Sequence, residues 1–251
     1  MLLPLHPDVT AFATERGGGV STGEYASMNV CHYNGDAPEA VAENRRRLAE
    51  RLGIPAANIV LPRQTHSTRV ALVDAPPMVN GQWSTVNAVD ALITQTPGLC
   101  IGVSTADCIP VLLYDPRTRT AAAVHAGWRG TLGRIVRRTV EAMDALCGVR
   151  PEDLRAAIGP GISRAAYEVG DELPQAFADA GFPIDQITSR SGGRWHLNLP
   201  LANRLELRAA GVPDAHISDC GLCTYTHADR FFSARRQGIR SGRVYTAVVI
   251  R

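Results

Sequence analysis

The chain has 251 residues, is 45% hydrophobic and carries a formal net charge of +2 at pH 7, which suits one compact α/β domain over residues 1–251. This charge gives no reason to expect nucleic acid or a membrane surface as a partner. All 26 basic residues are arginine, which excludes a Schiff-base lysine and a phosphate loop of the Gly-Lys-Ser/Thr type. The first ten residues do not resemble a signal peptide, and the six cysteines are irregularly spaced, so we expect a cytoplasmic protein with reduced thiols.

The first third of the chain is predicted to contain two short strands and one helix. The strands are predicted over residues 10–14 and 25–30, on either side of a Gly-rich turn. A capping-box pattern predicts a helix that begins with Asp36 as its N-cap and ends at Gly53.

Two polar residues interrupt the apolar face of this helix. Asn44 and Arg45 lie three and four residues after Val41 and before Leu48, on the side that faces the core. A polar group on a buried face needs a partner. We therefore expect either an internal salt bridge or an arginine directed at an anionic substrate group.

The middle of the chain is rich in predicted strands. Alternation predicts a long strand over residues 59–73, broken near Pro62, with His66 near its centre, and then a loop over residues 76–87. Short apolar strands are predicted over residues 90–94, 99–105, 109–114 and 121–124. Cys108 follows Asp107 at the end of one apolar run, and His125 ends another. Strand ends carry chemistry in α/β folds, although a buried thiol and a turn histidine fit these residue types equally well.

The second half is predicted to alternate helices with short extended segments. An amphipathic helix is predicted over residues 130–147, with Leu146 on its apolar side, directly after His125 and Arg129. The remaining elements are a strand over 156–161, a helix over 173–180, a polar loop over 189–194, an extended segment over 195–199, a helix over 201–210 and a final strand over 244–250.

Several short motifs combine cysteine, histidine, tryptophan and glycine in a specific way. They are QTHS at 64–67, DALIT at 90–94, TADCIPVLLYD at 105–115, HAGWRG at 125–130, IGPGI at 158–162, YEVG at 167–170, and the CT and FFSARR pieces within 223–236. Together they resemble the multicopper polyphenol oxidase (laccase-domain) family, also called the bacterial purine nucleoside phosphorylase family. The resemblance covers nearly the whole chain; it departs at Asn198, where an aspartate is expected, and at Ala234, where an aromatic residue is expected.

The resemblance implies a fold, a metal site and two reactions. The implied fold is a four-layer αββα arrangement of mixed sheets, related to the cytotoxic deamidases, in a monomer or small homo-oligomer. The implied zinc ligands are His66, Cys108 and His125. The implied reactions are phosphorolysis of adenosine, inosine, guanosine or methylthioadenosine to the base and ribose 1-phosphate, and deamination of adenosine to inosine.

The implied ligand set matches the chemistry of deamination. Two imidazoles and a thiolate leave the fourth position of a tetrahedral zinc ion open, as in catalytic sites, and zinc lowers the pKa of a bound water to about 7. Known zinc deaminases use a glutamate from an H-x-E motif as the proton carrier, and this chain has no such motif. Asp107 is our candidate carrier, or else a residue that orients a ligand.

Phosphorolysis requires a phosphate site. Arginines hold phosphate with paired hydrogen bonds, and Arg45 and Arg129 are the candidates. Together with Asn44, they are the substrate-binding residues that we expect.

Other functions stay open at this stage. A metal-free hydrolase or amidase would use Cys108 as nucleophile and His125 or His66 as base. A copper-dependent polyphenol oxidase is disfavoured because the chain has seven histidines and no H-x-H motif, although one copper ion can bind such ligands in vitro. A non-enzymatic binding module and an enzyme that edits cell-wall precursors are further alternatives. A second zinc site is also conceivable, with His216, Cys220, Cys223 and His227 as ligands.

Overall fold

The computed structural model describes residues 1–77 and 86–251 in full and the backbone alone of residues 78–79 and 82–83. Its strands are β1 Val9–Ala13, β2 Ile59–Val60, β3 Val70–Leu72, β4 Met78–Val79, β5 Gln82–Trp83, β6 Ala91–Thr94, β7 Cys100–Thr105, β8 Ile109–Asp115, β9 Thr120–Ala126, β10 Arg155–Ile158, β11 Glu168–Val169, β12 Thr188–Ser191, β13 Arg194–Leu197, β14 Ile217–Asp219 and β15 Val244–Ile250. Its helices are α1 Pro38–Leu52, α2 Trp128–Leu132, α3 Ile135–Cys147, α4 Glu172–Asp179, α5 Ile184–Ile187, α6 Leu199–Ala209 and α7 Ala234–Gln237.

Two mixed sheets form the centre of the fold. One has the strand order β1-β15-β7-β2 and is antiparallel except where β2 pairs with β7. The other has the order β14-β10-β8-β9-β6-β3, with parallel pairs at its two edges. A hairpin of β12 and β13 with β11 beside it, and the β4–β5 pair, form two smaller sheets.

Successive residues of the central strands face different apolar layers. In β8, Leu112 packs between the two large sheets, whereas Leu113 packs under α3 and α6. In β15, Val248 faces the other sheet and Ala247 faces α1. Both faces are therefore covered, which explains why these strands read as continuous apolar runs.

These contacts give four layers. Helix α1 covers the outer face of the four-stranded sheet through Leu48 and Ala49, and α3 and α6 cover the outer face of the six-stranded sheet through Val140 and Leu207. The predicted αββα arrangement of mixed sheets is confirmed. Within the described residues, no helix combines the length and apolar character needed to cross a bilayer.

The prediction of a strand over residues 59–73, broken near Pro62, is wrong for its central part, because β2 ends at Val60 and β3 begins only at Val70. Strand β2 pairs with β7 in one large sheet, and β3 pairs with β6 in the other. The chain therefore crosses between the sheets, and His66 lies on this crossing with a φ of 58°. No strand pairing therefore fixes the direction of the His66 side chain.

The single helix predicted over residues 130–147 is two helices, α2 and α3. The break lies at Gly133 and Arg134, where Arg134 has a φ of 66°. A Cβ on Gly133 would lie 2.5 Å from Thr68 Cγ2, so a glycine is needed for this close approach. Leu146, placed on the apolar side by the periodicity, is 58% exposed.

Three other local predictions are wrong. Residues 25–30 form no strand, since a short 3-10 turn ends at Tyr25 and no ladder follows. Residues 189–194 are not a loop but most of β12, the two-residue turn at positions 192–193 and the first residue of β13. The loop predicted over residues 76–87 contains β4 and β5, and its residues 80–81 and 84–85 lie outside the described part.

The start of α1 also differs from the expectation. The helix begins at Pro38 with Ala37 as N-cap. The Asp36 carboxylate accepts hydrogen bonds from Ser21 Oγ at 2.7 Å and Asn29 Nδ2 at 2.8 Å, so it fixes the preceding loop. The predicted end is confirmed, because Gly53 is in the left-handed region with a φ of 67°.

Candidate metal centre

Three side chains that are far apart in the chain converge at one point. The ligand-type atoms of His66, Cys108 and His125 all lie within 4.8 Å of one another. Cys108 Sγ is 3.9 Å from His66 Nε2, and the two imidazole rings meet edge to face at 4.8 Å between centroids. His66 is exposed, Cys108 is half-buried and His125 is buried, so the group reaches the protein surface through His66.

Each of the three positions follows from a different part of the fold. His125 is on β9, at the end of the central hairpin with β8. Cys108 lies on the turn between β7 and β8, next to Asp107, whose φ is 88°. His66 lies on the crossing between the two sheets. The site is therefore at the edge where both sheets end.

Gly127 leaves the space that the three side chains occupy. A Cβ at this position would lie 2.8 Å from Cys108 Sγ and 3.1 Å from His66 Cδ2. Real Cβ atoms do not approach a sulfur atom so closely, and the glycine of the HAGWRG motif thus has a steric explanation.

The buried carboxylate of Asp90 connects two of the three residues. Its Oδ1 accepts hydrogen bonds from His125 Nδ1 at 2.8 Å and from the His66 amide at 3.0 Å. Its Oδ2 accepts from the amide and hydroxyl of Ser67, both at 2.7 Å. The sequence analysis identified Asp90 only as the first residue of a predicted strand. Its place in the DALIT motif, directly before a buried strand, is the feature that could have indicated a role at this site.

The charges of the cluster support one another. Burial alone would raise the pKa of Cys108, but the positive charge and hydrogen bond of His125 lower it to about 6. Burial alone would lower the pKa of His125, but the Cys108 thiolate and the Asp90 carboxylate raise it to about 9. Burial likewise disfavours charge on Asp90, but hydrogen bonds from His125 and Ser67 hold its pKa below the usual range. Without a metal, the site holds a thiolate beside an imidazolium at neutral pH.

The donor set fits a zinc ion. Tetrahedral zinc with Zn–S of about 2.3 Å and Zn–N of about 2.1 Å places sulfur and nitrogen about 3.6 Å apart. The Cys108–His66 separation of 3.9 Å needs only a small inward movement of the exposed His66. Because Nδ1 of His125 is bonded to Asp90, its Nε2 remains for the ion, as in carboxylate–histidine–zinc arrangements.

The Asp107 carboxylate is hydrogen-bonded to neighbouring segments of the chain and not to His66 or His125. The carboxylate accepts from Thr224 Oγ1 and from the Arg235 amide, both at 2.7 Å, and the Asp107 carbonyl accepts from the Ile162 amide at 2.8 Å. The IGPGI, CT and FFSARR motifs therefore all contact the turn that carries Cys108.

Asn44 and Arg45 are both buried in α1. The Asn44 amide group donates to Ser21 and to the carbonyls of Ser27 and Asn29, and its oxygen accepts from the Val20 amide. Arg45 donates to the Ile59 carbonyl at the start of the crossing that carries His66. Arg45 and Arg63 also add to burial in lowering the pKa of His32, so positive charge gathers here.

Three further side chains form a polar and aromatic rim near Cys108. Burial and then the charge of Cys108 raise the pKa of Tyr167 to about 12, while Arg235 and Arg129 act in the opposite direction. The Arg235 guanidinium lies 5.4 Å from the centre of the Tyr167 ring, and exposed Arg129 lies 4.1 Å from the centre of the Trp128 ring. Sequence reasoning missed Tyr167 and Arg235, although both lie in motifs that it recorded.

The second zinc site considered from the sequence does not form. His216 Nδ1 bonds to the Leu154 carbonyl, and the Cys223 sulfur accepts from the Ser163 amide. His227 Nδ1 lies 3.0 Å from the Cys223 carbonyl. Of the residues that the structure describes, only His66, Cys108 and His125 make up a metal-binding group of three or more. A close spacing in sequence does not bring these four side chains to one point.

Comparisons with known proteins match almost the full chain. A family model described as multi-copper polyphenol oxidoreductase laccase matches residues 10–251. A protein named purine nucleoside phosphorylase, from Bacteroides thetaiotaomicron, is 44% identical over 99% of this chain and 94% of its own length. Adenosine deaminase RL5, from an unknown prokaryotic organism, is 42% identical over 96% of this chain and 93% of its own. The crystal structure of YlmD from Geobacillus stearothermophilus superposes with a TM-score of 0.93 at 33% identity, covering 100% of this chain and 97% of that one.

Proposed function

Because this chain belongs to the multi-copper polyphenol oxidoreductase laccase family, with relatives named purine nucleoside phosphorylase and adenosine deaminase, we propose that it is a zinc-dependent enzyme of purine nucleosides. It cleaves adenosine, inosine, guanosine and methylthioadenosine with phosphate, and it deaminates adenosine to inosine. The observation that carries the proposal is the convergence of His66, Cys108 and His125, with His125 oriented by a buried carboxylate.

The three converging residues hold the ion. A bound zinc ion would supply a Lewis acid and an activated water molecule at neutral pH. His125 presents Nε2 because Asp90 accepts from its Nδ1, and exposed His66 completes the set from the crossing. Asp107 holds the turn of Cys108 through Thr224 and Arg235, so its role in this proposal is to fix the ligand, with proton transfer as the further role to be tested.

Phosphate and nucleoside bind on the two sides of this centre. In phosphorolysis, phosphate attacks C1′ of the ribose and the purine leaves with a proton, so a cationic clamp is required. Arg129 and Arg235 act electrostatically on Tyr167, as does Cys108, and buried Arg45 donates to the Ile59 carbonyl, just before the crossing that carries His66. We assign Arg45 and Arg129 to substrate binding, with Asn44 acting by fixing the loop of residues 20–29. All six cysteines are free, which supports a cytoplasmic location.

The test is turnover of adenosine by purified protein with and without phosphate, followed by separation of bases and nucleosides. We expect inosine without phosphate, and free base with ribose 1-phosphate when phosphate is present. Cys108→Ala is expected to lose both zinc and turnover while it stays folded. Cys147→Ala, which changes a half-buried thiol on α3, is the matched control and keeps both. Full turnover by Cys108→Ala would refute the proposal.

One observation favours a second candidate, a metal-free cysteine hydrolase or amidase. The pKa of Cys108 near 6 and that of His125 near 9 describe a thiolate–imidazolium pair of the kind that nucleophilic cysteines use. A chelator distinguishes the two, since it abolishes a zinc reaction and leaves thiol chemistry intact. A polyphenol oxidase with several coppers has no support, because only one group of candidate ligands is formed among the described residues.

A further inference from the structure

The Asp90 carboxylate is completely buried and is hydrogen-bonded to both histidines of the centre. One oxygen accepts from the His125 ring and the His66 amide, and the other accepts from the amide and hydroxyl of Ser67 and the amide of Thr65. The Asp90 carbonyl also accepts from the His125 amide at 2.7 Å.

We propose that Asp90 is a positioning residue that sets the geometry of both histidine ligands, and thereby the metal affinity of the site. This inference rests on the proposed function, because it requires that the site bind zinc. Asp90 does not contact the ion or the substrate; it acts through His66 and His125.

The Asp90 carboxylate fixes the backbone conformation at His66. This residue lies between β2 and β3, where no strand ladder fixes the backbone, and its φ of 58° is unfavourable for a residue with a side chain. Three successive amides, those of Thr65, His66 and Ser67, point at the Asp90 carboxylate. The carboxylate therefore pulls the backbone into the conformation that aims the His66 ring at Cys108.

The Asp90 carboxylate also selects the tautomer of His125. In the neutral ring that binds a metal, Nδ1–H donates a hydrogen bond to Asp90 Oδ1, so the lone pair is on Nε2, on the side of Cys108. An acceptor at Nδ1 both fixes the ring orientation and increases the basicity of the ligand nitrogen. Without that acceptor, the neutral ring can carry its proton on Nε2, where it would block metal binding.

An asparagine at position 90 cannot accept hydrogen bonds both from the His125 ring and from the amides of residues 65–67. If its oxygen accepts from Ser67, its amide group faces His125 Nδ1 and selects the wrong tautomer. If its oxygen accepts from His125, its amide group faces the amides of Thr65 and Ser67, and donor meets donor. Asp90→Asn thus tests the mechanism with almost no change in volume.

The experiment measures the zinc dissociation constant of the full chain by competition with a chromophoric chelator, and the absorption spectrum of the cobalt(II) form. We expect Asp90→Asn to bind zinc 10- to 100-fold more weakly (roughly the range for second-sphere changes) and to show an altered thiolate–cobalt band. The matched control is Asp115→Asn, which alters an equally buried carboxylate that binds Arg117 and Thr118 away from the centre. This control lowers the melting temperature but keeps the wild-type affinity and spectrum.

The outcomes separate the two proposals. If wild-type protein binds no zinc, the proposed function fails. If wild-type protein binds zinc and Asp90→Asn binds it within twofold, the function stands and the positioning role is refuted. Should Asp90→Asn fail to fold, Ser67→Ala replaces it, because it removes the hydroxyl bond to Oδ2 and a longer bond from the Arg69 amide but keeps the carboxylate and the Ser67 amide bond. A several-fold weaker affinity is then expected, and an unchanged affinity and cobalt spectrum would overturn the inference.

Discussion

Replacing Gly127 with alanine separates metal binding from folding. The backbone of Gly127 has φ −72° and ψ 174°, which an alanine adopts without strain. Its new Cβ would lie 2.8 Å from Cys108 Sγ and 3.1 Å from His66 Cδ2. The methyl group therefore conflicts with two ligand side chains and not with the main chain.

The size of the effect follows from these distances. Non-bonded contacts are favourable at about 3.5–4.0 Å, so the sulfur has to retreat by roughly 1 Å, whereas zinc ligand distances tolerate only about 0.2 Å. Second-sphere changes that disturb ligand geometry cost about 10–100-fold in affinity. Because the methyl group displaces a ligand directly, we expect the upper end, about 100-fold or roughly 2.7 kcal/mol. Folding stability should change by less than about 1 kcal/mol, which moves Tm by at most about 4 °C.

The assay compares the zinc dissociation constants and the thermal unfolding of Gly127→Ala, wild type and Gly17→Ala. Gly17 is the matched control, since it is outside the left-handed region and an added Cβ meets nothing within 4 Å. A Gly127→Ala protein that binds zinc within threefold of wild type would refute the steric reasoning. A protein that no longer folds would show that the conflict spreads into the backbone.

Three other predictions concern separate parts of the molecule. Asn44→Ala leaves the Val20 amide and two loop carbonyls without their partner, so it should lower the free energy of unfolding, measured by chemical denaturation, by about 2–3 kcal/mol. The control Asn58→Ala, which loses one bond to Gly98, should lower it by about 1 kcal/mol or less. In metal-free protein, alkylation of Cys108 should remain fast at pH 7 and slow as the pH falls through about 6, because the reactive thiolate is then protonated. Burial raises the pKa of Cys147, so this thiol should react only at alkaline pH; peptide mass spectrometry of each cysteine checks both, and a common pH profile would contradict the assigned charges. Arg45→Ala should slow phosphorolysis more than deamination in parallel assays, and equal loss of both would indicate a structural arginine.

Much of the candidate site could be read from the sequence. The apolar run before Cys108 is the buried strand β7, which ends at Thr105, and the run that carries His125 is the buried strand β9, which ends at Ala126. The resemblance supplied His66 as the third residue, and the structure brings it within ligand distance of the other two. The family membership inferred from the motifs is also confirmed.

The four-layer fold was predicted from the family resemblance, and the hydrophobic pattern of the strands agrees with it. Apolar runs without alternation indicate strands covered on both faces, and the strands of both large sheets are covered in this way. Gly53 marked the end of α1 because a left-handed residue is encoded locally.

The sequence by itself determined most of the apolar runs that form the central strands, the positions of most helices and the residues Cys108 and His125 of the site, since these depend on local periodicity and residue type. Only the tertiary structure decided that residues 59–73 change sheets, that Asp90 joins His66 to His125, and that His216 and Cys223 stay apart. The physical reason is that partners such as Asp90 and His66, or Asn44 and Val20, are distant in the chain. Their hydrogen bonds form only once the sheets and helices have packed, and no local pattern records them.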